Sequence, residues 1–174
     1  WKMKILIKNK FVSLTLFFLV LIANIDFVNA QELRKLENIA FQKGEYLKYR
    51  VFYDSFLTGG ITAGEAEFQI HKESRSVAKR NTMHIEVNGV TKGVFNLFFK
   101  VRDRYETFID EETLAPWLFI RRVNEGGYTI EQDVSFNQFN STSLFKDVKR
   151  NRSNTSSTPP YIHDLLSAIY FFRT

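Results

Sequence analysis

Residues 93–110 decide the fold, and they read GVFNLFFKVRDRYETFID. The first part, residues 94–99, is an apolar cluster of the size that one short helical turn carries. From residue 101 the side chains alternate between two faces, as they do in a β-strand. One face holds Tyr105, Thr107 and Ile109, and the other holds Arg104, Glu106 and Phe108. The stretch therefore predicts an apolar plug followed by a charged strand.

Five other segments alternate in the same way and predict strands. They cover residues 47–53, 65–71, 82–89, 117–125 and 128–137. Glycine pairs, Pro116, a polar segment at residues 72–81 and an exposed acidic turn at residues 110–113 mark the connections. Six antiparallel strands joined by short turns predict a meander.

The remaining segments complete the predicted fold. Residues 137–157 predict an edge strand plus a mobile loop, and residues 161–173 predict a helix with a broad apolar face. The fold class is thus mainly β, an antiparallel meander forming a curved sheet or half-barrel with one or two helices packed on it. We expect the plug at residues 94–99 and the helix to fill its concave side. Ala63 and Gly64 indicate either a β-bulge or the close approach of a ligand or another backbone.

The first thirty residues resemble a leader rather than part of the fold. A lysine-rich start precedes an apolar run at residues 11–22, and Val28-Asn29-Ala30 places small residues where a signal peptidase cleaves. We expect residues 1–30 to be a signal peptide, cleaved before Gln31, which places the protein in the periplasm or outside the cell. An uncleaved N-terminal anchor is the alternative. Residues 31–174 are expected to form a single β-rich domain, truncated at its C-terminus.

The charge argues against a nucleic-acid partner, and the cysteine content excludes disulfides. The net charge is +5, but residues 1–30 carry four lysines and one aspartate, so the remainder carries only +2. This charge is weak support for nucleic-acid binding, and we expect none. The chain has no cysteine and hence no disulfide. Membrane contact is expected only through the signal peptide.

No catalytic motif is visible. The three histidines fall on different elements, and neither a G-x-S-x-G motif nor a phosphate-binding loop occurs. His84 and Glu86 share a strand face, but we expect that face to be solvated and predict no metal site. We therefore predict no cofactor and no enzyme activity. An enzyme that uses Asp103, Glu106 and the arginines is the least favoured hypothesis.

Two sets of side chains are candidates for ligand binding. The charged set is Arg102, Arg104, Arg121 and Arg122, which form either cross-strand ion pairs or a mouth that holds an anionic head group. The aromatic set is Phe95, Phe98, Phe99, Phe108, Trp117 and Phe119, which form either a solid core or the lining of an apolar cavity. The expected partner is an apolar or anionic amphipathic ligand, or a protein of the cell envelope.

Three blocks carry a family resemblance: GEYLKYRVFY from Gly44, FNLFFKVRDRYETFID from Phe95, and PWLFIRRVNEGGY from Pro116. They resemble the exported bacterial proteins grouped as domain of unknown function 3108. The resemblance covers residues 44–173 and implies an exported β-rich fold, but no catalytic residues. We therefore expect a non-catalytic binding or carrier module for an apolar or lipid-like ligand. The alternative is a structural or protein-interaction module of the envelope with a solid aromatic core.

Overall fold

The computed structural model of the chain describes residues 32–56 and 59–174. Leu33–Thr174 forms a compact unit of its own. The predicted signal peptide and its cleavage point before Gln31 lie outside the described residues, so both stay predictions. In the described ranges, neither helix has the length and apolar character needed to span a lipid bilayer.

The described residues form nine strands in one open antiparallel sheet, which confirms the predicted fold class. The strands are β1 (Tyr46–Ser55), β2 (Gly59–Ile70), β3 (Arg75–Val77), β4 (Arg80–Thr91), β5 (Arg102–Asp110), β6 (Pro116–Glu125), β7 (Tyr128–Asn137), β8 (Thr142–Asp147) and β9 (Arg152–Ser157). The order across the sheet is β1-β2-β4-β5-β6-β7-β8-β9, and β3 pairs with β4. Two short helices lie within residues 32–56 and 59–174, namely α1 (Phe95–Phe98) and α2 (Leu165–Phe171).

Three segments differ from the prediction in their secondary structure or in where it begins. The polar segment 72–81 contains β3, because Ala78 and Lys79 adopt left-handed backbone angles and close a tight hairpin with β4. Residues 137–157 form the two paired strands β8 and β9 rather than one strand and a loop. Helix α2 begins only after Asp164, whose side chain caps it.

The predicted β-bulge at Ala63 and Gly64 is confirmed. Val51 pairs with Gly64 while Phe52 pairs with Thr62, so Ala63 is the extra residue in β2. A Cβ atom on Gly64 would lie 2.8 Å from the carbonyl oxygen of Val90 on β4. The close approach of another backbone therefore also occurs at this point.

The two faces of the sheet differ in what covers them. One face, here called the helix face, carries Ile85 on β4 with Thr107 and Ile109 on β5, and α2 lies on it. The opposite face, here called the charged face, carries His84 and Glu106. The buried core lies between the helix face, the segment that precedes β1, and α2. It consists of Phe41, Ile70, Met83, Ile85, Ile109, Leu114 and Tyr170.

The apolar plug predicted at residues 94–99 is only half right. The helical turn exists as α1, but none of its residues is buried, and Leu97 and Phe98 are 82% and 84% exposed. The β4–β5 ladder continues as far as the pair Val90 and Arg102. The segment between them is therefore the connection of a hairpin, and because its helical turn has no buried residue it does not fill a concave side.

Candidate functional site

The four arginines predicted to bind a ligand lie on both faces of the sheet. Arg104 on β5 and Arg122 on β6 are direct neighbours on the charged face, and Arg102 is on the same face. Arg121 lies on the helix face, where its guanidinium is 5.9 Å from the centre of the Tyr105 ring. The structure therefore brings three of the four together and separates the fourth.

Three of these arginines are engaged by neighbouring oxygens. Arg104 pairs with Glu106 on its own strand at 3.2 Å, and Arg122 pairs with Asp133 on β7 at 2.7 Å. Arg102 donates to the side-chain oxygen of Asn96 at 2.9 Å. These partly exposed contacts are each worth about 0.2–1 kcal/mol.

The six predicted aromatic residues do not line one cavity. Phe95, Phe98 and Phe99 belong to α1 and the residue after it, and the last two are largely exposed. Trp117 is buried, and its indole N–H donates to Asp110 at 3.1 Å. The other two lie on opposite faces, Phe108 on the charged face and Phe119 on the helix face.

A different set of residues forms an apolar groove on the helix face. The groove has a volume of about 550 Å³ and lies between the first two strands and the last turn of α2. It is lined by Leu47, Tyr49, Ala66, Phe68, Ile169, Tyr170 and Arg173. None of these residues was in the predicted set. Alternation had assigned Leu47, Tyr49 and Phe68 to strands, and the helix was expected to pack on the sheet. Nothing in the pattern indicated that it would cross these two strands.

Tyr170 is the unusual residue of this groove. Its side chain is 1% exposed and packs edge-on against Phe41, with ring centres 4.9 Å apart. Its hydroxyl is buried and has no hydrogen-bond partner among the described residues. Burial, helped by the negative charge of Glu45, raises the pKa of Tyr170 to about 12, so the hydroxyl keeps its proton. Buried hydroxyls usually have a partner, so this one is an unused donor next to a groove.

Arg173 and Glu45 close one end of the groove. The guanidinium makes two contacts with the carboxylate, Nη1 to Oε1 at 2.6 Å and Nη2 to Oε2 at 2.8 Å. This two-pronged pair holds the end of α2 against the residue before β1. The hydrogen bond raises the pKa of Arg173, which therefore stays charged at the rim.

Helix α2 is fixed at its other end by Asp164. This buried carboxylate accepts from the backbone N–H groups of Leu166 and Ser167 at 2.8 and 3.0 Å, and from the Thr107 hydroxyl at 2.7 Å. Burial raises the pKa of Asp164, although these hydrogen bonds oppose the rise. The cap thus locates α2 on β5, and that position determines where the groove lies.

The charged face holds a cluster that sequence reasoning misjudged. His84 was expected to be solvated, yet it is only 8% exposed, because its ring is stacked between His71 and Phe108. The centres of these rings are 4.2 and 4.3 Å from that of His84. Its Nε2 is 2.8 Å from Glu106, and Nε2 of His71 is 3.2 Å from Glu86. Two histidines and two glutamates therefore meet at one place.

The environment shifts the protonation of this cluster. Burial lowers the pKa of His84, and the neighbouring His71 adds to this, although Glu106 opposes it. Burial would raise the pKa of Glu86, but hydrogen bonds from Asn88 and His71 hold it below its usual value. At neutral pH the cluster holds a neutral His84 and an ionised Glu86. The alternation of β4 indicated that His84 and Glu86 share a face, but only the strand register shows that Glu106 and His71 join them.

Asp110 is a buried hub rather than part of an exposed turn. Its side chain is 1% exposed and accepts hydrogen bonds from Arg80, Trp117 and the backbone N–H groups of Glu112 and Thr113. Burial would raise the pKa of Asp110, but these donors hold it below its ordinary value. The acidic turn at residues 110–113 was predicted as exposed, and for Asp110 and Thr113 that was wrong. Arg80 reaches Asp110 from β4 and pairs with it.

Comparison with known proteins identifies a family but no characterised relative. Neither the curated proteins nor the solved structures contain a significant match to the chain. A family model described as Protein of unknown function (DUF3108) matches residues 48–174. The match begins within β1 and takes in every later strand and both helices. The chain therefore belongs to the DUF3108 family, as its sequence blocks suggested.

Proposed function

We propose that this protein is an exported, non-catalytic binding module that holds an amphipathic ligand in the groove between β1, β2 and α2. The ligand has an apolar chain and a polar end that accepts a hydrogen bond. The observation that carries the proposal is an open apolar groove lined in part by Tyr170, whose buried hydroxyl has no partner in the described part of the chain. The proposal assigns no chemical step to the protein.

The size and lining of the groove suit such a ligand. Its volume of about 550 Å³ falls within the range of about 300–1,000 Å³ that is usual for small-molecule sites. Two of its apolar side chains, Tyr49 and Ile169, are 53% and 42% exposed, so an apolar chain laid on them removes hydrophobic surface from water.

We infer that the Tyr170 hydroxyl supplies the polar contact, and because protein atoms cover it, the ligand must displace them to reach it. A buried donor without a partner costs free energy, and a ligand oxygen placed next to it removes that cost. The apolar side chains that line the groove orient the chain of the ligand, and the Tyr170 hydroxyl orients its polar end. Arg173 is held by Glu45 at the rim, so its charge is mostly neutralised and contributes less.

A fluorescent fatty acid tests the proposal. The purified chain is titrated with dansylated undecanoic acid, and palmitate is added as a competitor. Saturable binding with displacement is expected. In Ala66→Phe the new ring fills the groove, so we expect the affinity to fall by at least about tenfold, a loss of about 1.4 kcal/mol. Tyr170→Phe removes one hydrogen bond worth about 0.5–1.5 kcal/mol, so a loss of about two- to tenfold is expected.

The matched control lies on the same strand. Gln69→Phe adds a ring of the same size to β2, but on the charged face, where Gln69 is exposed and outside the groove. It should bind the probe as the unchanged protein does. Absence of saturable binding refutes the proposal, and so does an Ala66→Phe variant that binds normally.

Export is tested separately from ligand binding. The full chain, produced in a Gram-negative host, should be recovered in the periplasmic fraction with Gln31 as its first residue. N-terminal sequencing checks the cleavage point. Recovery of uncleaved protein in the cytoplasm overturns this part of the proposal and leaves the groove untouched.

A second candidate function is self-association through β1. Among the described strands β1 pairs only with β2, and its apolar side chains are unusually exposed, including Phe52 at 65% and Tyr53 at 58%. An exposed apolar edge strand is a template for strand pairing. A two-fold antiparallel pairing centred on Phe52 places Arg50 of each copy opposite Asp54 of the other, which favours a second copy as the partner.

Charge reversal tests this second candidate. Sedimentation should detect a dimer that Arg50→Asp weakens and that the double variant Arg50→Asp with Asp54→Arg restores. A monomer at all concentrations, or a double variant that fails to restore the dimer, contradicts self-association through β1.

A further inference from the structure

The charged face carries a second site that the proposed function does not use. It lies where β2, β4 and β5 adjoin, and its members are His71, His84, Glu86 and Glu106. One potential ligand atom from each of His71, His84 and Glu86 lies within 4.8 Å of the other two. We propose that this cluster binds a divalent transition-metal ion of the Zn²⁺ type through His71, His84 and Glu86, with Glu106 supporting His84 from behind.

The chemistry of the donors fits this class of metal. Imidazole nitrogen combined with one carboxylate is a common ligand set for Zn²⁺, and three protein ligands leave one position for water. Bond lengths of about 2.0–2.2 Å require ligand atoms about 3.3–3.6 Å apart in a tetrahedron. The His71 and Glu86 atoms are 3.2 Å apart, close to this value, so the distance that must shorten is the one between this pair and His84.

The hydrogen bonding of His84 leaves one ring nitrogen available to bind a metal. We assign its ring proton to Nε2, because the Glu106 carboxylate 2.8 Å away accepts a hydrogen bond there. Nδ1 then carries a free lone pair, and it is buried without a partner among the described residues. A metal-bound histidine typically donates its other ring N–H to a carboxylate. Glu106 is the positioning residue, and Nδ1 is the ligand atom that His84 supplies.

The two glutamates provide an independent argument for a cation. Glu86 on β4 and Glu106 on β5 are direct partners in the strand register, an arrangement that is unfavourable for like charges. Arg104 compensates Glu106 at 3.2 Å, and Asn88 donates to Glu86 at 2.7 Å. Among the described residues, Glu86 is hydrogen-bonded to a neutral amide and to the ring of His71, and the positive charge of Arg104 adds a smaller attraction. A bound divalent ion would supply the charge that this carboxylate lacks.

Ion entry requires one ring to move. The rings of His71 and His84 are parallel within 8° and 4.2 Å apart, so one ion cannot lie in both ring planes. His84 is held by Glu106 and Phe108, whereas His71 is 32% exposed and has only Glu86 as a described hydrogen-bond partner. His71 therefore rotates out of the stack and brings its nitrogen to the ion. The solvent-exposed side of His71 is the entry path.

Calorimetric titration with ZnCl₂ tests the site. The untagged chain is stripped with a chelator, dialysed, and titrated at pH 7.5. One zinc ion per chain should bind, and Zn²⁺ should raise the melting temperature. His71→Ala and Glu86→Gln should each weaken binding at least about tenfold, and Glu106→Gln should weaken it about 10- to 100-fold, as is typical of a residue that orients a ligand.

The third histidine provides the matched control. His163 packs against Phe171 beside α2, away from the cluster, so His163→Ala should bind zinc as the unchanged chain does. Circular dichroism establishes that each variant is folded. Nitrogen-15 NMR of the histidines gives a second readout, in which Nδ1 of His84 should shift on zinc binding. Absence of saturable binding, or equal losses in His71→Ala and His163→Ala, overturns the proposal.

Discussion

Replacement of Asp110 by alanine should strongly destabilise the sheet. Asp110 accepts from Nε and Nη2 of Arg80 at 2.6 and 3.0 Å, and from Trp117 Nε1 at 3.1 Å. It also accepts from the N–H groups of Glu112 and Thr113 at 2.9 and 3.0 Å. It joins β4, the turn after β5 and the start of β6.

The loss of stability depends on which of these hydrogen-bond donors water can reach once the Asp110 carboxylate is removed. Arg80 is partly exposed and also contacts Glu112 at 3.3 Å, so its charge is not stranded. Trp117 and Thr113 are 3% and 2% exposed. Without Asp110, the indole N–H of Trp117 and the backbone N–H of Thr113 lose their acceptor where water cannot replace it. At about 1–3 kcal/mol for each unsatisfied donor, Asp110→Ala should cost about 2–6 kcal/mol.

Urea unfolding followed by circular dichroism measures this cost. With a slope of about 2 kcal/mol per molar urea, the midpoint should fall by about 1–3 M. Glu112→Ala is the control, because that neighbouring side chain is 55% exposed and should change the stability by less than about 1 kcal/mol. If Asp110→Ala costs no more than Glu112→Ala, the Asp110 carboxylate does not hold these elements together.

The pH dependence provides a second check of the same residue. The pKa of Asp110 is lower in the folded protein than in the unfolded chain, so its charge stabilises the fold at pH values above the unfolded pKa of about 4. That contribution disappears as the pH falls through the folded pKa. The stability difference between the unchanged protein and Asp110→Asn should therefore shrink on acidification. A difference that is constant from about pH 7 to pH 3 would contradict the assignment.

Two further predictions concern backbone packing and helix capping. Gly64→Ala should cost about 1–3 kcal/mol of stability, because its Cβ would lie 2.8 Å from the backbone oxygen of Val90. The control is Gly60→Ala, whose Cβ would make only an ordinary contact at 3.9 Å. The melting temperatures of the two variants are compared. Equal effects would contradict the close approach. Asp164→Ala should cost about 1–2 kcal/mol in urea unfolding, because it removes the cap of α2, and the exposed neighbour Leu165 provides an alanine control. A cap variant as stable as Leu165→Ala would show that α2 does not depend on Asp164.

The strands could be predicted because alternation is a local signal. Tyr105, Thr107 and Ile109 do lie on one face of β5, and the small residues Ala63 and Gly64 do form a bulge. Strand β9 was missed because Arg152–Ser157 is exposed at every position, so burial imposes no alternation on it. Such a strand is held by pairing with β8, which a single sequence does not reveal.

It was easier to predict which side chains share a strand face than whether that face is buried. Alternation showed that His84 and Glu86 point the same way, but polar residues suggested solvent on that side. What covers His84 is His71 from the end of β2 and Phe108 from β5, two side chains distant in sequence. The same holds for Asp110, which is buried by Arg80 from thirty residues earlier. Register between strands determines both sites, and turn lengths alone did not determine the register.

The pleat of the sheet makes the two proposed sites separable. Ala66 and Phe68 of β2 face the groove, whereas the intervening Glu67 and the following Gln69 face the opposite side, where the histidine cluster lies. A substitution on one face therefore leaves the side chains of the other in place. His71→Ala should bind the fluorescent fatty acid normally, and Ala66→Phe should bind zinc normally.

Coupling between the sites would require an element with two arrangements that both ligands bias. The strands β2 and β4 connect the sites, but they are locked by the close contact of Gly64 with Val90 and by the core residues Ile70 and Ile85. We therefore expect zinc to change the affinity of the fatty-acid probe by less than about twofold, or about 0.4 kcal/mol. A larger change, measured by titrating the probe with and without saturating zinc, would show that the shared strands shift as a unit. By reciprocity the probe would then change the zinc affinity by the same factor.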